Sequence, residues 1–237
     1  MSPLIFNERF RRICMIAGMV LLLPAGSLAQ SPRQRAAAQM TDTPSPESTL
    51  QLALYYFNND DFSGRSEELL KRLLAKRYDG TSESETAQFY LAAYYQRRFY
   101  LCREKRGDPD WSALKEAAAQ YRKYTDNYYG GVKHKWLNES FFNLAIVYLE
   151  LKQPWNAVNE LSKMKQAAGI DPDVYIYQIV WSSQSQDVID LTLPAAQLAD
   201  YALRVVQENS NDFDRTVLLI QKWCQGQRVK SYKSASN

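Results

Sequence analysis

The chain has 237 residues, with 29 Lys and Arg against 26 Asp and Glu and a single His. That near balance argues against the basic face that electrostatic nucleic-acid binding needs. One His and three Cys leave no cluster of metal ligands.

In chain order, residues 1–29 read as a secretory signal peptide. Arg9, Arg11 and Arg12 precede an apolar run of eleven residues, Ile13–Leu23, and small residues at Ser27 and Ala29 mark cleavage after Ala29. The run is short of the roughly 20 apolar residues of a membrane-spanning helix, which favours cleavage over the alternative of an uncleaved N-terminal anchor, and no later segment reaches that length. No Cys follows it where a bacterial lipid anchor would be attached. Three Arg and one Glu leave with the peptide, so the remainder carries a net charge of about +1. The expectation is an exported protein, periplasmic or secreted. Residues 30–46 are rich in Ser, Thr, Pro, Gln and Ala. They lack the bulky side chains that offset chain entropy, and read as a flexible linker.

The helical domain is expected over 47–226. Ser45-Pro46 opens a helix with Leu50, Leu52, Ala53, Leu54, Tyr56 and Phe57 on its apolar face. Asn58–Asp61 breaks it. Leu69, Leu70, Leu73 and Leu74 mark a second helix, ending at Tyr78-Asp79-Gly80. Ser82 with Glu85 reads as a capping box for a helix carrying Phe89, Leu91, Ala92, Tyr95 and Phe99. Arg103–Gly107 reads as a polar break. Asp108-Pro109-Asp110 starts the next helix, with Trp111, Leu114, Ala118, Tyr121 and Tyr124. Residues 136–151 and 154–166 form a further pair. Asp171-Pro172 caps a short helix to Trp181, in which the β-like run Val174–Val180 reads as buried helix. Ser182–Pro194 reads as irregular. Residues 195–208 and 212–225 are the last two helices, and 227–237 a polar tail.

The informative stretch is 141–164: Phe141, Leu144, Ala145 and Tyr148, then Ala157, Leu161 and Met164. Large, small and aromatic residues at this spacing resemble the tetratricopeptide repeat (TPR), a unit of roughly 34 residues built as helix–turn–helix. Leu91, Ala92, Tyr95, Ala117 and Tyr121 repeat part of the pattern with a lengthened turn. Leu52, Ala53 and Tyr56 repeat it again, with Gly64, Arg65 or Ser66 where a small core residue belongs. Ala199, Ala202 and Leu203 carry it into the last segment. Tyr121–Tyr129 is similar to the repeat ending of periplasmic TPR proteins of bacterial envelope assembly, with Thr125 where that ending has Pro. The resemblance implies an all-α fold, a TPR-like right-handed superhelix of helix-turn-helix pairs with a concave groove. In that frame the groove-facing candidates are Leu54, Asn58, Phe89, Ala93, Arg97, Phe142, Ile146 and Leu149.

Catalytic chemistry has little to stand on. His134, flanked by Lys133 and Lys135, reads as a surface histidine in a basic loop and not as the base of a triad. Asp60-Asp61, Asp108 and Asp110 read as turn and cap residues. Arg97-Arg98 reads as a solvated patch. Asn138-Glu139-Ser140 is formally a glycosylation sequon, but it opens a helix. No cofactor is expected. Cys102 and Cys224, in an oxidising compartment, are either joined in a disulfide or held as separate thiols half buried in helices.

The expected function is therefore a non-catalytic scaffold or adaptor that holds an envelope protein or a peptide segment. An accessory or regulatory subunit of a cell-envelope enzyme system, for peptidoglycan or polysaccharide, is the alternative. A helical-array glycosidase is a third reading, which a close pair of buried carboxylates in a cleft would revive.

Overall fold

The computed structural model describes residues 45–59, 63–129, 134–170, 176, 178–180, 186–187, 194–209 and 211–234. Residues 1–29, read as a signal peptide, and nearly all of the expected linker lie outside the described residues. The described residues are all-α: eight α-helices, one 3-10 turn and a minimal two-stranded ladder.

α1 (Pro46–Asn59) starts with Pro at its first position, and the Ser48 N–H donates to Ser45 Oγ at 3.1 Å as at an N-cap. α2 (Arg65–Leu73) follows Gly64, whose φ of 75° needs a residue without Cβ. After a 3-10 turn (Lys76–Tyr78) comes α3 (Ser82–Arg106). Its cap is Thr81, which accepts from the Ser84 N–H at 3.1 Å, so the expected Ser82 cap is shifted by one residue. Glu85 is thereby released from capping and accepts from Tyr124 Oη instead, at 2.5 Å.

α3 also runs through the expected break at Arg103. Arg103 lies over the Phe99 and Tyr100 rings and pairs with Glu150 at 3.2 Å. These contacts keep a charged stretch helical until Gly107, at φ 70°, stops it. Asp110 caps α4 (Trp111–Tyr128) by accepting from the Ala113 N–H at 3.0 Å. α5 (Leu137–Glu150) and α6 (Pro154–Ile170) make the next pair. α7 (Ala195–Glu208) and α8 (Phe213–Ser234) close the chain. The helix of α8 extends past 226 through most of the expected polar tail.

Consecutive helices pack most closely: α1 on α2, α3 on α4 and α5 on α6, with α2–α3, α4–α5 and α6–α7 joining them. The first helices of successive pairs also touch, α1 with α3 and α3 with α5. In the α5–α6 pair, Phe141, Leu144, Ala145, Tyr148, Ala157, Leu161 and Met164 are all buried. Small residues at Ala145 and Ala157 leave room for the two backbones to approach. In the α1–α2 pair Ser66 takes the small position. It is buried, and its hydroxyl donates to the Ala53 carbonyl at 3.0 Å.

The run Val174–Val180 departs from expectation. Gln178–Ile179 is a strand, β1, paired antiparallel with β2 (Gln186–Asp187), in the register Gln178 to Asp187 and Ile179 to Gln186. Of its described residues, Ile176, Ile179 and Val180 lie in the core, buried as expected. Gln178–Ile179 is extended because the Val180 backbone beside it finds side-chain partners in place of helical ones, and because β-branched residues suit an extended chain.

Cys102 and Cys224 are both free and buried, so no disulfide joins them. Cys102 lies on α3, whereas α8, which carries Cys224, packs on α7 and α5. Burial pushes the Cys224 thiol up to about 12.

Candidate functional site

The eight groove candidates do not line an open groove. On α1, Leu54 is half-buried and Asn58 exposed. On α3, Phe89, Ala93 and Arg97 are buried, as are Phe142, Ile146 and Leu149 on α5. Phe89 stacks on Trp136 at 4.7 Å between centroids and edges against Tyr90 and Tyr124. It belongs to an aromatic core. Arg97 lies over the Phe57 ring and donates to the Phe57 carbonyl. That carbonyl is one of the last four of α1, which have no acceptor role left inside the helix, and a cation there also suits the helix dipole. Arg97 is therefore a helix-end clamp and not part of a solvated patch. Its neighbour Arg98 pairs with Asp110 at 3.0 Å.

The same helix faces carry two residues that the repeat frame did not single out. Gln96 lies three positions after Ala93, and Asn143 three before Ile146, so they share those faces. Both are fully buried, at 0 % exposure. Both act on one residue. Gln96 Nε2 donates to the Val180 carbonyl at 2.6 Å, and the Val180 N–H donates to Asn143 Oδ1 at 2.8 Å. The partners lie 84 and 37 residues apart in sequence. β1 packs on α5, so the chain's own extended segment lies against these helix faces. α5 is buried at every position from Asn138 to Leu149, because α3, α4, α6 and α8 pack on it as well as β1. A helix apolar on one face only would be exposed on the other. The sequence signal was present: an amide in mid-helix among large apolar residues must find a partner if buried. Nothing local says which partner.

Two other polar sites are accounted for by their own contacts. A cleft of about 470 Å³ is lined by Glu67, Lys71, Tyr95, Arg98, Asp110 and Ser112 among others. Its charged groups have partners: Lys71 pairs with Glu67 at 2.6 Å, Tyr95 Oη donates to Glu67 at 2.7 Å, Arg98 pairs with Asp110, and Glu116, also in the lining, accepts from Gln120 Nε2 at 2.6 Å. Burial pushes the Glu67 carboxyl up, but hydrogen bonds from Lys71 and Tyr95 outweigh it and hold it below its usual value. Burial, helped by Glu67, raises the Tyr95 hydroxyl to about 12. His134 is less exposed than expected. It packs on Tyr128 at 4.4 Å and places Nδ1 3.5 Å from Glu85. The sequon residue Asn138 is buried on α5.

Among the described residues no group of His, Cys, Asp and Glu could hold a metal ion. No described helix is long and apolar enough to cross a membrane. Neither a protein-family model, a curated protein sequence nor a solved structure matches this chain.

Proposed function

We propose that this chain is an exported, non-catalytic, TPR-like scaffold of the cell envelope, which holds an extended segment of another envelope protein. The observation that carries the reading is the grip on Val180. Two buried amides from two helices hold one backbone amide unit and its neighbour, using no feature of the side chain. A surface of this design recognises an extended chain by its backbone, with pockets for alternate side chains. Helices packed as consecutive pairs, with small residues at Ala145 and Ala157, support a repeat array as its frame.

The test is crosslinking of the tagged full chain in cells after fractionation. The expected outcome is enrichment of one or a few envelope proteins, reduced in the Gln96→Ala, Asn143→Ala double variant. A chain that stays in the cytoplasm, or crosslinks to no protein, would overturn the reading.

A further inference from the structure

Resting on that reading, we propose that the α3–α5 groove is self-occupied: Ile176 and Gln178–Val180 are an internal pseudo-ligand. A partner's extended segment, with branched apolar side chains spaced like Ile176, Ile179 and Val180, displaces them.

Four observations converge. First, the Gln96 and Asn143 contacts fall on the backbone N–H and C=O of Val180, groups any extended peptide offers. Second, the described side chains that enter the core with it, Ile176, Ile179 and Val180, are branched and apolar, so an incoming segment of the same spacing would bury like surface. Third, the segment's only ladder partner among the described residues is the two-residue strand β2. A pairing that short is marginal in water, so the groove and not the sheet holds the segment. Fourth, Gln96 Oε1 is buried without a partner in the described structure. An unused acceptor beside the clamp is where an incoming peptide N–H could add a bond that Val180 does not make.

The energetic consequence is a tax on affinity. A ligand that binds only the open state has its apparent affinity reduced by the open fraction. Weakening the internal segment therefore strengthens binding of an external one, as long as the clamp amides remain.

The experiment uses the full chain and a fluorescein-labelled peptide of residues 171–183, read by anisotropy. Val180→Pro removes the N–H that Asn143 accepts. The expected result is binding to V180P tighter than to the wild type by roughly tenfold or more, and loss of that gain when Gln96→Ala and Asn143→Ala are added. Equal binding to wild type and V180P, or a gain that survives loss of both amides, overturns the proposal. Should V180P fail to fold by circular dichroism, hydrogen exchange on the wild type decides. A Val180 amide that exchanges well before the amides of α5 supports an opening segment, and one that exchanges with them makes it permanent core. Concentration-dependent dimers that bury the segment of a second copy also overturn it, since the occupant is then this chain itself. The scaffold reading fails separately. A cellular partner retained by the double amide variant leaves the scaffold standing and removes only the groove.

Discussion

At the scale of single residues, the shift of the α3 cap from Ser82 to Thr81 has a measurable consequence. Thr81→Ala removes the acceptor for the Ser84 N–H and should cost about 1 kcal/mol in urea unfolding. Ser82→Ala should be near neutral; the reverse order would restore the expected box. The cleft residues set an acid limb. Burial raises the carboxyls of Glu67 and Asp110, yet their hydrogen bonds win and both are held low in the fold. Groups held low bind more protons when unfolded. Their contribution is full above the unfolded range of roughly pH 4 and is lost as pH falls through the folded values. Both carboxylates are half-buried but their cationic partners are exposed, so solvent screening keeps the loss to about 1 kcal/mol or less. Lys71→Met with Arg98→Met should flatten that limb of the stability–pH curve. Tyr95 acts in the opposite sense: raised to about 12, it favours the fold below pH ~10, and that contribution is lost as pH climbs toward 12. The thiols give a third check. Burial shields both thiols from reagent, and Cys224 is in addition held as the unreactive thiol, so Cys102 and Cys224 should resist iodoacetamide in the native chain and react in guanidinium, as mapped by mass spectrometry.

At the scale of elements, periodicity alone placed the helices well and their ends less well. The apolar faces of α5 and α6 were legible because Ala145 and Ala157 sit at helical spacing among large residues. The Arg103–Gly107 end was not legible, because the partner that keeps it helical, Glu150, belongs to another helix. The strand at Gln178–Ile179 was hidden for the same reason. Its sequence reads as apolar and buried in either form, and only the distant Gln96 and Asn143 decide that it is extended. The α5–α6 crossing is open to direct trial. Ala145, at 1 % exposure, is buried in this pair. Ala145→Leu should cost about 1–3 kcal/mol through overpacking, whereas the exposed Ala119→Leu on α4 should lie within about 0.5 kcal/mol of wild type. Equal midpoints in guanidinium for the two variants would show that the helices do not cross closely there.

At the scale of the whole molecule, a repeat array and a single core make different predictions. In an array each unit leans on its neighbours, and stability is roughly a sum of local terms. Here α5 departs from that rule, because α4, α6, α8 and β1 all pack on it. α1 stands at the other extreme, with Leu52 and Tyr55 exposed and only α2 and α3 as principal partners. Local opening follows buried contact, so protection should grade along the chain. Hydrogen exchange by mass spectrometry should find α1 and α2 exchanging first and α5 last, near the global unfolding free energy. The order matters for function. If α5 is the most protected element and the Val180 segment beside it is not, the groove is a rigid wall with a removable occupant. A backbone clamp works best in that state, since its amides stay positioned while the segment they hold is exchanged. Uniform protection from α1 to α8 would instead make the chain one cooperative core with no separately opening segment.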